Sequence, residues 1–211
     1  MNKEVSTNIA SSLLEIEAIK LRPSAPFKWS SGWNSPIYCD NRFTLSFPEL
    51  RTYIKNCLVD AIKEHFPEAE SIAGVATAGI PQGALVAEAL NLPFLYVRPK
   101  PKDHGMENLI EGKITKDQKV VVIEDLISTG GSSLKATEAL KDAGFNVLGM
   151  VAIFTYGFET ANENFKKAAV KLVTLSNYSS LIEVVKSQNL FSDEELNSLN
   201  RWRLAPEKWN K

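Results

Sequence analysis

Two carboxylates stand side by side in the chain, Glu124 and Asp125, directly behind the apolar run Val120 to Ile123. Two apolar spacers follow, Leu126 and Ile127, then Ser128, Thr129, Gly130, Gly131, Ser132 and Ser133, and then a helical pattern. Glycines and hydroxyls between a strand and a helix make a cradle for an anion, because backbone N–H groups and the helix dipole both face it. The common nucleotide loops do not fit: the Lys-[Ser/Thr] pair is missing and no G-x-G-x-x-G is present. The acids discriminate further. They would repel an anion held in the loop, so they should face another part of the same ligand. Vicinal sugar hydroxyls fit, being donors that carboxylates accept from strongly. Strand, paired acids, hydroxyl–glycine loop and helix together describe a site for a ribose 5-phosphate. A capped helix with two solvated acids at its entrance explains the acids poorly.

A second group of candidates is cationic. Residues 98–118, "RPKPKDHGMENLIEGKITKDQ", lack strand alternation and are too punctuated by Pro and Gly for a helix. A long connection of this kind inside a compact domain is a functional lid or a disordered piece. This one carries Arg98, Lys100, Lys102, His104 and Lys113.

The elements that must position these residues read as one α/β domain. Ile9, Leu13, Ile16 and Ile19 recur at helical spacing and open the chain with an amphipathic helix. Residues 22–47 read as irregular. "SFPEL" starts a second helix, with Ser46 as N-cap, Pro48 in the first turn and Glu49 closing a capping box. Its buried face is Leu50, Ile54, Cys57, Leu58, Ala61 and Ile62. Strands are expected at 71–76, 93–97, 119–124, 146–154 and 170–176, helices at 80–90 and 131–143, and a last capped helix at "SDEEL". Apolar strands alternating with helices predict a parallel sheet covered on both faces, with ligands beyond the carboxyl ends of the strands.

Composition narrows the classes. The chain has 211 residues, 44% hydrophobic and 23% charged, which suits one mid-sized domain with a substantial core. A formal net charge of −1 gives no global field for nucleic acid. Cys39 and Cys57 lack metal-ligand spacing and read as free thiols in a reducing compartment. No apolar stretch approaches the ~20 residues of a membrane span, and the first twenty residues lack a signal peptide's apolar run. A cytoplasmic protein is the expectation.

The 124–132 stretch resembles the phosphoribosyl-pyrophosphate signature of type I phosphoribosyltransferases. In that family the acids hold the ribose 2- and 3-hydroxyls and the loop holds the 5-phosphate, which implies these roles for Glu124, Asp125 and Ser128 to Ser132. "VRPKPKDHG" (97–105) resembles the mobile catalytic hood of orotate phosphoribosyltransferases, with Arg98, Lys102 and His104 at the matching positions. "WSSGWNSPIYCDNR" (29–42) is similar to the segment that closes over the base. The resemblance implies a single type I phosphoribosyltransferase domain over 1–211: a mostly parallel twisted sheet flanked by helices, a base-covering segment at 1–47 and a mobile loop at 98–118. It implies transfer of phosphoribosyl to orotate with Mg2+, with Lys102, His104 and Asp125 as catalytic residues and Ser128 touching orotate. It implies also a homodimer in which Arg98, Lys102 and His104 are shared across the interface.

The chain departs from the better-known bacterial subgroup. Ser30 stands where that subgroup has a lysine, Tyr38-Cys39 where it has two phenylalanines, Thr77-Ala78 where it has Tyr-Lys, and Pro99 where a lysine follows the hood arginine. Tyr156 takes the place of its orotate-binding arginine. A second subgroup, with "SSG…SPIYCDNR" and "ATAGI", is closer. Other candidates have plainer readings: Lys28 and His65 as solvated residues, Trp202 and Trp209 as packing on the surface or an interface, and Trp29 and Trp33 as either core or base-pocket walls. Two rivals stand beside the orotate reading. A purine phosphoribosyltransferase would lack the Lys-Asp-His-Gly hood, and a non-catalytic sensor of phosphoribosyl pyrophosphate would lack the hood's cations.

Overall fold

The computed structural model describes residues 2–29, 32–100 and 109–209. Five parallel strands form its centre: β5 (Ser71–Val75), β6 (Phe94–Val97), β8 (Lys119–Ile127), β9 (Asn146–Thr155) and β10 (Leu172–Asn177). A short antiparallel strand β7 (Ile110–Glu111) closes one edge, giving the order β10-β9-β8-β5-β6-β7. The central strands are apolar on both sides because helices cover both faces. In β8, Val121 and Ile123 belong to one apolar layer and Val120 and Val122 to the other, and all four are fully buried. Each such side chain contributes ~1.5–3 kcal/mol of burial, so the strand that carries the acids is among the most firmly held. The first layer meets α1 (Lys3–Glu15), α2 (Pro48–His65), α3 (Gly79–Leu90), α6 (Tyr178–Ser187) and α7 (Asp193–Leu204); the second meets α4 (Gly131–Asp142) and α5 (Glu159–Lys167).

The sheet order reverses at β5. The chain leaves β5 for β6 on one side and returns to β8 on the other. Pairing of β5 with β8 stops at Gly74↔Ile123, whereas β8 continues along β9 through Glu124↔Ala152, Leu126↔Phe154 and Ile127↔Thr155. Beyond Ile123, β8 has a partner on one side only. Glu124 and Asp125 therefore sit where a crevice opens at the carboxyl ends of the sheet, the place where such folds bind ligands.

Several local expectations are corrected. The first helix ends at Glu15, because Glu17 takes φ 58° and turns the chain, and Ile19 pairs with Cys39 in a small antiparallel sheet. Residues 22–47 are not wholly irregular: after β1 (Ile19–Leu21), strands β2 (Phe27–Lys28), β3 (Asn34–Ser35) and β4 (Ile37–Cys39) fall within them and precede a 3-10 helix at Asn41–Ser46. Ser46 closes that 3-10 helix, so the N-cap of α2 is Phe47, with no side-chain cap bond, and the expected capping box is absent there. Pro48 at the first position fixes the start instead. The box at Ser192 and Glu195 is present. Strand β8 runs to Ile127, so the acids lie inside the strand and not at its end. The 98–118 connection includes β7. Trp202 lies in the core with 0% exposure instead of on the surface.

Candidate active site

The acids are held by their neighbours. Glu124 is 6% exposed. Its Oε2 accepts a 2.8 Å hydrogen bond from Ser133 Oγ, and its Oε1 accepts one of 3.0 Å from the Asp125 N–H. Burial, then the charge of Asp125, pushes the Glu124 carboxyl up to about 8. Burial also raises Asp125. Both shifts favour the protonated form, so the free pair resists carrying two full charges. Asn41 Nδ2 donates to the Asp125 carbonyl at 2.7 Å, tying the backbone of this strand to the 3-10 helix. Near it, Arg42 grips Asp40 through two bonds of 2.6 and 2.7 Å, which hold the Asp40 carboxyl below its ordinary value.

The loop is fixed from behind. Gly130 takes φ 79°, and an added Cβ would stand 2.6 Å from the Phe165 ring, so glycine is required by both conformation and space. Asn164 Nδ2 donates to the Thr129 carbonyl at 3.0 Å, and the Tyr156 N–H donates to the Ile127 carbonyl at 3.1 Å. No side chain caps α4, which leaves the first turn of the helix open toward the loop. On the other side of the crevice, Gly79 at the start of α3 packs so tightly on β8 that a methyl group would strike the Ile123 carbonyl.

Two cavities flank this centre. One, of about 490 Å³, is lined by Ala76, Arg98, Gly131, Ser132 and Lys135, so Arg98 and the end of the glycine loop of one chain share a cavity. Arg98 also lies 3.6 Å from Glu111. The second, of about 640 Å³, is lined by Lys28, Trp29, Tyr38, Cys39, Ser128 and Tyr156. Ser128 thus stands in the wall of an aromatic cavity next to the loop. Arg98, Gly131 and Ser132 line the first cavity, and Leu126, Ser128 and Thr129 line the second; Glu124 and Asp125 precede them on β8 and line neither. Lys102 and His104 lie outside the described residues. Sequence reasoning missed Ser133 as the partner of Glu124 and Lys135 as a cavity residue; the spacing of Lys135, three residues after Ser132 on a helix, was the available signal.

Chemically, the arrangement offers hydroxyl acceptors, an anion cradle with a cation opposite, and an adjoining aromatic slot for a planar ring. Among the described residues there is no cluster of three or more His, Cys, Asp or Glu that could hold a metal by itself.

The fold and site define a class. Residues 47–185 match the phosphoribosyl transferase domain family, and the chain belongs to it. Its sequence is 64% identical over 203 residues to the orotate phosphoribosyltransferase of Cytophaga hutchinsonii, covering 96% of this chain and 97% of the relative. It is 57% identical to the orotate phosphoribosyltransferase of Porphyromonas gingivalis, over 98% of this chain and 99% of that one. Among solved structures, the orotate phosphoribosyltransferase of Aeropyrum pernix superposes with a TM-score of 0.75 at 29% identity, covering 87% of this chain and 99% of that one.

Proposed function

We infer that this chain transfers the ribose 5-phosphate group of phosphoribosyl pyrophosphate to orotate, giving orotidine 5-phosphate and pyrophosphate in pyrimidine biosynthesis. The observation that carries the reading is the junction at Ser128. It joins a loop and acid pair suited to a phosphoribosyl group with an aromatic-walled cavity that has room for a planar base. The relatives' shared description and the full-length similarity support it.

In this reading Glu124 and Asp125 accept from the ribose hydroxyls, and Ser128, Thr129, Gly130, Gly131 and Ser132 donate to the 5-phosphate. Leu126 and Ile127 are the apolar spacers that seat the loop, with Ile127 fully buried. The substitution at the anomeric carbon passes through an oxocarbenium-like state, and the negative charge that the Glu124–Asp125 pair carries beside the ribose lowers its energy. The bond to pyrophosphate breaks, the bond to the ring nitrogen forms, and that nitrogen's proton leaves to solvent. Arg98, at the base of the loop, shares a cavity with Ser132 of its own chain, and Lys102 and His104 from the neighbouring chain's loop close over the leaving group and exclude water. Lys28 lines the base cavity and enters no ion pair among the described residues; it is the cation that meets the orotate carboxylate. Mg2+ arrives with the donor and neutralises pyrophosphate charge when bound. A donor set limited to the two adjacent acids fits a metal carried by substrate better than a resident ion.

The protein works as a homodimer whose 98–118 loop reaches the neighbouring site. It acts in the cytoplasm; no helix among the described residues is long and apolar enough to cross a membrane. The discriminating experiment is a comparison of kcat/KM for orotate, uracil, adenine and hypoxanthine with saturating donor. Orotate should lead by orders of magnitude. Preference for a purine would overturn the acceptor assignment, and no turnover of any base would favour a sensor.

A further inference from the structure

The base cavity has a back wall that comes from outside the matched domain. Trp29 and Tyr156 line the cavity, one from the N-terminal segment and one from the residue after β9, and their rings lie 5.2 Å apart at 30°. Behind both stands Trp202 of α7, beyond the domain match that ends at residue 185. Its ring meets Trp29 at 5.6 Å and 87°, and Tyr156 at 5.6 Å and 87°. It also touches Phe158 at 5.2 Å and Tyr178 at 5.3 Å. Edge contacts of this kind are directional, so one indole sets the tilt of both lining rings at once.

The surroundings fix Trp202 itself. It has 0% exposure, and its Nε1 has no hydrogen-bond partner. A buried indole N–H normally finds an acceptor, and here aromatic rings surround it. Its helix is anchored twice to α6: Tyr178 Oη donates to the Leu199 carbonyl at 3.0 Å, and Arg203 Nη1 donates to Ser179 Oγ at 2.8 Å. Trp29 is held from its far side by a 3.1 Å bond from Nε1 to the Ile37 carbonyl. Trp29 is thus clamped between a backbone acceptor and Trp202, whereas Tyr156 depends on its ring neighbours for its tilt.

We propose that Trp202 is a positioning residue for the base site: α7 sets the angle of Trp29 and Tyr156, and through them the affinity for the pyrimidine. This rests on the orotate reading of the cavity. An enzyme that ignores orotate would defeat that reading and leave this one without a substrate to measure, so wild-type turnover of orotate is the first control.

The test separates positioning from mere stability. In Trp202→Phe the orotate KM should rise roughly tenfold while the donor KM stays within about twofold, because a small misplacement of a binding wall weakens one ligand selectively. Leu140→Ala, fully buried in the apolar layer on the other face of the sheet, removes core packing away from both lining rings, which belong with the first layer. It should lower the melting temperature and leave the orotate KM unchanged. Equal orotate KM values in Trp202→Phe and wild type, or equal increases in both variants, would overturn the proposal. Should Trp202→Phe not fold, the wild-type chain labelled with 5-fluorotryptophan gives the answer. The Trp202 resonance, assigned by elimination from Phe replacements of Trp29, Trp33 and Trp209, should shift on orotate binding. A Trp202 signal unmoved by saturating orotate would also overturn it.

Discussion

Ser133 Oγ, in the first turn of α4, donates a 2.8 Å hydrogen bond back to Glu124 Oε2 in β8. The helix that follows the glycine loop thereby orients one of the two adjacent acids, whose other oxygen accepts from the Asp125 N–H.

Burial and the neighbouring Asp125 raise Glu124 from 4.5 to about 8, so between these values the folded chain holds a proton that the unfolded chain has lost. The sign follows: the contribution of Glu124 to stability is fully present below the lower value and is lost as pH rises toward the upper. The limiting slope is about 1.4 kcal/mol per pH unit for one proton. Urea unfolding of wild type and Glu124→Gln from pH 5 to 9 checks it. Wild type should lose stability across this window more steeply than the variant. Parallel curves would show that Glu124 is already ionised.

Asp125→Asn should fold normally and lose activity. Its backbone is anchored through the carbonyl that Asn41 Nδ2 reaches, independently of the carboxylate. Losing a charge-assisted bond to a ribose hydroxyl costs ~1.5–3 kcal/mol, or about 10- to 100-fold in kcat/KM for the donor. Circular dichroism with steady-state kinetics decides it. A folded variant with near-normal turnover would remove Asp125 from the ribose clamp.

The chemistry of this centre was legible from sequence because it is local: strand, acids, loop and helix are contiguous from Val120 to Ser133. The alternation of apolar runs and helical patterns likewise announced the parallel sheet. What stayed hidden depends on distant partners. Strands of two or three residues, such as Phe27–Lys28 and Asn34–Ser35, carry no period and exist only through each other. Ser46 matched a cap pattern, but the preceding 3-10 helix claimed it. Trp202 sits among polar and basic neighbours in sequence, and its burial follows from rings 24 to 173 positions away, Tyr178 and Trp29 at the extremes. Lys28 is exposed, as the plainer reading has it, and it also lines the aromatic cavity beside Ser128.

Lys28→Gln should raise the orotate KM about tenfold and leave the donor KM alone, since a single charge-assisted contact to the carboxylate is lost. Lys28→Arg should recover most of the affinity. The wild-type orotate KM should rise with salt and that of Lys28→Gln should not, because the contact is exposed to screening. An unchanged KM in Lys28→Gln would return the residue to simple solvation.

The loop exchange is tested by mixing two impaired enzymes, Asp125→Asn and Lys102→Ala. In a mixed dimer one site combines an intact acid pair from one chain with an intact loop from the other, and the second site collects both defects. Random exchange makes about half the dimers mixed, so about a quarter of wild-type activity should return. With subunit exchange demonstrated, activity no higher than that of the separate mutants would place the loop in its own chain's site.

The central claim is the reaction itself, and product analysis tests it most directly. Purified protein with orotate, phosphoribosyl pyrophosphate and Mg2+ should yield orotidine 5-phosphate and pyrophosphate in equal amounts by mass spectrometry. Turnover should stop in excess chelator and return with added Mg2+. Free ribose phosphate without a nucleotide, or orotate left unconsumed by folded protein, would contradict the account.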